Sequence, residues 1–156
     1  MIQLYKVLGY LGALPFICGA IGLFIFDETL GALLLGLLFL YAGMIASFLG
    51  GVHWSHGFIG HREGQLLLAM TPTLIAMVLS GWGLVLLASG MLAVGFGHVL
   101  LSAALGLYIL LYLAILLMDW QWLDRSKMPP DYMRTRTGIT LVVIASLAAC
   151  VVFLWV

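Results

Sequence analysis

His53 and His56 stand three residues apart in the stretch Ser47-Phe48-Leu49-Gly50-Gly51-Val52-His53-Trp54-Ser55-His56-Gly57, a spacing that lets two side chains share one face of a helix. An imidazole in apolar surroundings can ligate a metal or a haem iron, relay a proton, or satisfy a backbone carbonyl. A metal wants three or four ligands, and neither a Cys nor a carboxylate lies near the two histidines in sequence except Glu63. A haem shared with His98 fails on depth, because the two histidines sit near opposite ends of their spans, about 14 Å apart along the membrane normal. No metal or haem cofactor is therefore predicted, and a packing role is expected for His53, His56 and His98. Ser47 and Ser55 flank the imidazoles, but no carboxylate is placed in sequence to orient them, so no catalytic residue is expected.

The elements that must carry these residues follow from composition. Of 156 residues, 65% are hydrophobic and 8% charged, against about 45–50% and about 25% in soluble domains. So much apolar surface implies an exterior that faces lipid, and hence an all-α polytopic bundle in a single transmembrane domain, residues 1–156. Five spans are predicted, at residues 6–26, 30–58, 65–87, 92–118 and 137–156. The second, about 43 Å long if helical, exceeds the ~30 Å hydrocarbon core and must tilt or protrude. Asp119 is read as a solvated boundary residue, and Pro129-Pro130 as keeping the following loop from being helical.

With five spans, Lys6, Arg62, Arg125, Lys127, Arg134 and Arg136 fall on one side, while the other receives Asp27 and Glu28. The positive-inside rule then puts the N-terminus in the cytoplasm and the C-terminus outside. Tryptophans agree: Trp54, Trp120 and Trp122 fall near the inner boundary, Trp82 and Trp155 near the outer one. Six acidic residues balance six basic ones, which excludes nucleic acid as a partner on charge.

Packing should centre on the second span. Gly43, Ser47 and Gly51 repeat every fourth residue beside the row Ala42, Ala46 and Gly50, and small residues are what let membrane helices approach closely. His53 falls on this smooth face and is expected to point into the protein. The row His98, Ser102 and Gly106 makes the fourth span its expected partner. Pro15 and Pro72 leave the Leu11 and Leu68 carbonyls without their helical donors, and Thr71 or Thr73 could supply one. Cys18 and Cys150 lie at similar depth and read as small buried thiols.

The segment Ser47-Phe48-Leu49-Gly50-Gly51-Val52-His53-Trp54 resembles the signature of a family of small bacterial inner-membrane proteins with mitochondrial relatives, known as a domain of unknown function. Gly12 with Pro15-Phe16 resembles the family's first span, Pro72 the proline of its third, and Pro130-Asp131-Tyr132 with Arg136 and Thr140 the start of its last. Asp131 stands where that pattern has tryptophan, and Thr135 where it has leucine. The resemblance implies the fold and a bacterial inner-membrane location, and it brings no activity.

Function is left to the polar groups. One candidate is a pocket or packing motif formed by Gly50, Gly51, His53, Trp54, His56 and His98. Another is the inner-face loop, where Arg125, Pro130, Tyr132, Arg134 and Arg136 could meet anionic headgroups or a protein's acidic surface. Topology-setting charge accounts for these basic residues without a partner. The expected function is a non-enzymatic structural or accessory component of the membrane, with the bilayer, a membrane protein or a second copy as partner. The alternative is a small transporter or channel, or a haem-, metal- or quinone-linked redox component, using a pocket near His53, Trp54 and His56.

Overall fold

The computed structural model describes residues 4–61, 63–90, 95–124, 126 and 128–156. Among these the chain forms five α-helices and no strand: α1 (Leu4–Ile25), α2 (Glu28–Ile59), α3 (Glu63–Ala88), α4 (Gly95–Trp122) and α5 (Tyr132–Phe153). Every one is long and apolar enough to cross a membrane. Large apolar side chains cover the outside, with Phe48 69%, Phe58 70% and Leu67 76% exposed, a surface that only lipid makes favourable.

Local features mark several of the helix ends. The Asp27 carboxylate accepts the Leu30 amide at 2.9 Å and caps α2, satisfying one of the donors that a helix start leaves unpaired. His61, at φ 52°, makes the left-handed turn into α3. Gly90, at φ 72°, ends the turn after α3, a conformation that glycine adopts without steric cost.

Pro72 is accommodated by a hydroxyl. Thr71 Oγ1 donates to the Leu68 carbonyl at 2.8 Å, the group that Pro72 leaves without a donor. Near Pro15, the Tyr41 hydroxyl of α2 donates to the Gly12 carbonyl at 2.9 Å.

Around the bundle the helices neighbour one another in chain order, with α5 returning to α1, and α2 also touches α4. The hub is α2, but its closest partner is α3 rather than the predicted α4. A Cβ at Gly50 would stand 2.6 Å from the Ala69 carbonyl oxygen, and one at Gly43 2.6 Å from Ser80 Oγ. The row His98, Ser102 and Gly106 is not a seam with α2: Gly106 meets open space, and Ser102 Oγ accepts from Trp155 Nε1 at 3.0 Å. Cys150 is buried while Cys18 is exposed, correcting the reading of two buried thiols. Hydrogen bonds from two α4 tyrosines and from Ser80 of α3 tie α2, α3 and α4 together. Tyr112 donates to the Ala42 carbonyl at 2.9 Å, Tyr108 to Ala76 at 2.9 Å, and Ser80 to Phe39 at 2.8 Å. The Tyr108 and Ser80 hydroxyl oxygens lie 2.6 Å apart.

Tyr108→Phe should accordingly lower stability by about 1–2 kcal/mol, near the upper end measured for hydrogen bonds between membrane helices. Tyr41→Phe, whose hydroxyl is only part-buried, should cost less. Equilibrium unfolding in mixed micelles checks the order, and equal losses would contradict it.

The ends of α4 and α5 differ from the predicted spans. The fourth was expected to stop at residue 118 and the fifth to begin at 137, but α4 runs through Asp119 to Trp122 and α5 starts at Tyr132. A boundary drawn at the first charge is displaced when that charge is paired inside the protein, and here Asp119 is only 2% exposed.

Candidate functional site

Three helices converge on Asp119. On α2 the row Ala42, Ala46, Gly50 is buried and continues into His53 and Gly57, so the close approach to α3 carries the His53 ring to 0% exposure. On α4, Leu105, Tyr108, Tyr112, Ile115 and Asp119 are all buried, and their alternating spacing of three and four residues makes one inward stripe. Arg136, one turn into α5, reaches the same place. His53 Nε2 donates to Asp119 Oδ1 at 2.8 Å, and Arg136 Nε donates to Asp119 Oδ2 at 2.7 Å.

Each carboxylate oxygen thereby accepts one hydrogen bond, and the contact places a proton on His53 Nε2. Ions removed from solvent lose several kcal/mol of hydration each, so such a pair persists only with this kind of direct bonding. The expectation that no carboxylate orients an imidazole is corrected, as is the reading of Asp119 as a solvated boundary residue. Sequence distance hid the partner: Asp119 lies 66 positions from His53.

Beside this bridge is a cavity of about 420 Å³ between α1, α2, α4 and α5, within the ~300–1,000 Å³ of small-molecule sites. It occupies the space between α2 and α5, walled by α1 residues on the N-terminal side of Pro15, among them Gly9 and Gly12, and by Phe16, Leu49 and Val143. Leu8 and Phe48 also line it and are 58% and 69% exposed, so its lining reaches the apolar surface of α1 and α2. Its polar end carries Tyr5, Arg136 and Thr140. The Tyr5 hydroxyl, Arg136 Nη2 and Thr140 Oγ1 are all buried without a hydrogen-bond partner. Buried polar atoms are normally satisfied, so three at one end of one cavity call for an explanation.

The expected site residues are divided by these arrangements. His53 is inside, whereas Trp54 is 46% exposed and Gly51 meets nothing within 4 Å. His56 Nδ1 donates to the Val52 carbonyl of its own helix at 2.9 Å. His98 is four residues into α4, separated from Asp119 by about 31 Å of helix axis. The structure therefore does not bring His53, Trp54, His56 and His98 to one pocket. Ser47 and Ser55 donate to the carbonyls of Gly43 and Val52 in α2, at 2.8 and 3.0 Å, so neither is directed at an imidazole.

Of the inner-face loop candidates, Arg125 lies outside the described residues, as do Arg62 and Lys127 of the charge pattern. Pro130 and Arg134 are exposed, and Tyr132 is half-buried and lines the cavity. Arg136 turns inward, its side chain 11% exposed. Asp131, beside them, pairs with Lys6 Nζ at 3.0 Å on the surface. Among the described residues no three His, Cys, Asp or Glu side chains gather as a metal would need.

Asp119, Tyr5 and the cavity-facing role of Thr140 were not read from sequence. The signal for Asp119 was present in its place on the Tyr108 and Tyr112 stripe. Tyr5 and Thr140 come together only through the meeting of α1 and α5.

Comparison with curated proteins and with solved structures finds no match. The profile of the family described as "Protein of unknown function (DUF3429)" matches residues 1–152, nearly the whole chain. In the segment that carries the resemblance, Gly50 and His53 face inward while Gly51 and Trp54 face out. By the extent of the profile match, this five-helix membrane protein belongs to the DUF3429 family of unknown function.

Proposed function

We propose that the protein is a non-enzymatic accessory component of a bacterial inner membrane that holds a membrane-borne amphiphile between α1, α2, α4 and α5. The observation that carries this reading is the cavity of about 420 Å³, apolar over most of its wall and lined by three residues that each carry a buried polar atom without a partner. Its lining reaches the apolar surface at Leu8 and Phe48, so a hydrophobic molecule could enter sideways without crossing water. The His53–Asp119–Arg136 bridge stands behind the polar end and fixes one of the atoms that such a molecule meets. That role is structural.

Gly12 supplies the test. It lines the cavity, and the nearest atom to a Cβ there is the Tyr41 hydroxyl oxygen at 4.0 Å, so Gly12→Leu fills the space with little strain at its first atom. Full-length protein purified in mild detergent is expected to release about one hydrophobic molecule per chain on organic extraction, and the Gly12→Leu protein less than a tenth of that, given the volume lost. Equal yields from the two proteins would overturn the assignment.

The orientation belongs to the same reading. Lys6 and Asp131 pair at the end of the bundle that also holds Arg134, and Asp27 and Glu28 lie at the other. The basic end is cytoplasmic by the positive-inside rule. Reporters fused after Asp124 should read inside and those after Val156 outside, and the reverse pattern would reject it.

A further inference from the structure

Resting on the reading of the cavity as an amphiphile site, we infer that its occupant is uncharged, a hydrophobic molecule whose polar end accepts hydrogen bonds through carbonyl oxygen.

The chemistry of the polar end sets this class. Thr140 is 1% exposed and its Oγ1 has no partner, and the same holds for the buried Arg136 Nη2 and Tyr5 hydroxyl. The guanidinium can only donate, and the two hydroxyls can donate once an acceptor is offered. No Asp, Glu, His, Asn or Gln lines the cavity among the described residues, so a ligand that needs acceptors finds none of the strong ones. Arg136 cannot turn wholly to a ligand, since its Nε is held by Asp119 at 2.7 Å.

Charge decides between the acceptors. The Asp119 carboxylate already balances the Arg136 guanidinium, to which it is bonded at 2.7 Å. A carboxylate or phosphate headgroup would bring an unbalanced negative charge into a setting poor in water, where it loses hydration without a free cation to replace it. A carbonyl can accept from these residues and brings no charge. Two sources share the chemistry, the ring carbonyls of a quinone and the ester carbonyls of a neutral glyceride.

Delipidated full-length protein in detergent would be titrated with a short-chain benzoquinone, dioctanoylglycerol, dioctanoyl phosphatidate and octanoate. At least one uncharged probe is expected to bind about tenfold or more tighter than either anion. Which uncharged probe it is separates the quinone from the glyceride source, and a redox difference spectrum of the native extract checks the former. Thr140→Val keeps the shape and removes one donor; it should weaken the preferred probe about threefold to tenfold. Anions binding as tightly as the uncharged probes would overturn the charge argument while leaving the cavity an amphiphile site. No binding by any probe, with extracts unchanged by Gly12→Leu, would overturn both. The wild-type ranking decides the matter even if Thr140→Val fails to fold.

Discussion

Asp119→Asn is expected to destabilise the protein by about 3–5 kcal/mol, the usual result of leaving one member of a buried ion pair without its partner. That is a large share of the ~5–15 kcal/mol that holds a typical domain together. The substitution preserves shape, so the loss isolates charge: Arg136 keeps its position with a carboxamide where it had an anion, and His53 Nε2 trades an ionised acceptor for a neutral one. Three helices are joined at this one side chain, so the effect should appear as loss of the folded bundle in mild detergent and not as local fraying. Adding Arg136→Gln removes the stranded cation, and the double variant should be about 1–3 kcal/mol more stable than the sum of the single losses predicts. Lys6→Gln breaks an exposed pair and should change little, because such pairs are screened and loosely held. Equilibrium unfolding of wild type, the two single variants at the bridge, the double variant and Lys6→Gln settles the question. An Asp119→Asn protein as stable as wild type would mean that the bridge does not hold the helices.

The five helices were legible because lipid imposes a length and a polarity that composition reveals directly. All five expected spans correspond to observed helices. What hydropathy could not convey is compensation between distant residues. Asp119 and Arg136 each end an apolar run when read alone, and both become interior once they neutralise each other across α4 and α5. Two lines of evidence were nonetheless in the sequence: the stripe through Tyr108, Tyr112 and Asp119, and the smooth row that points His53 inward. Their meeting depends on which helices are neighbours, and small-residue rows alone did not determine that. They identified α2 as a hub but suggested α4 where α3 packs closest. The cavity was beyond reach for the same reason, since it is the space left between α2 and α5 by the order of the ring.

Neighbouring glycines in that hub should respond to the same substitution with opposite signs. At Gly50 a methyl group would lie 2.6 Å from the Ala69 carbonyl oxygen and 3.7 Å from its carbon, and an ordinary carbon–oxygen contact is about 3.3–3.6 Å. The obstacle is backbone, which cannot rotate away, so Gly50→Ala must push α2 and α3 apart. Overpacking of this kind costs about 1–3 kcal/mol. Gly51 meets nothing within 4 Å, so Gly51→Ala gains up to about 1 kcal/mol of helix propensity with no contact to disturb. Unfolding in mixed micelles should therefore rank Gly51→Ala at or above wild type and Gly50→Ala below it. Equal stabilities for the two variants would show that α2 does not pack on α3 along this row. The displacement also has a consequence at Asp119: His53 is one turn from Gly50 on the same buried row, and its 2.8 Å bond leaves little room for α2 to shift. Gly50→Ala should thus soften the dependence on Asp119, so that Asp119→Asn costs less in that background than in wild type, a coupling that two independent packing defects would not produce.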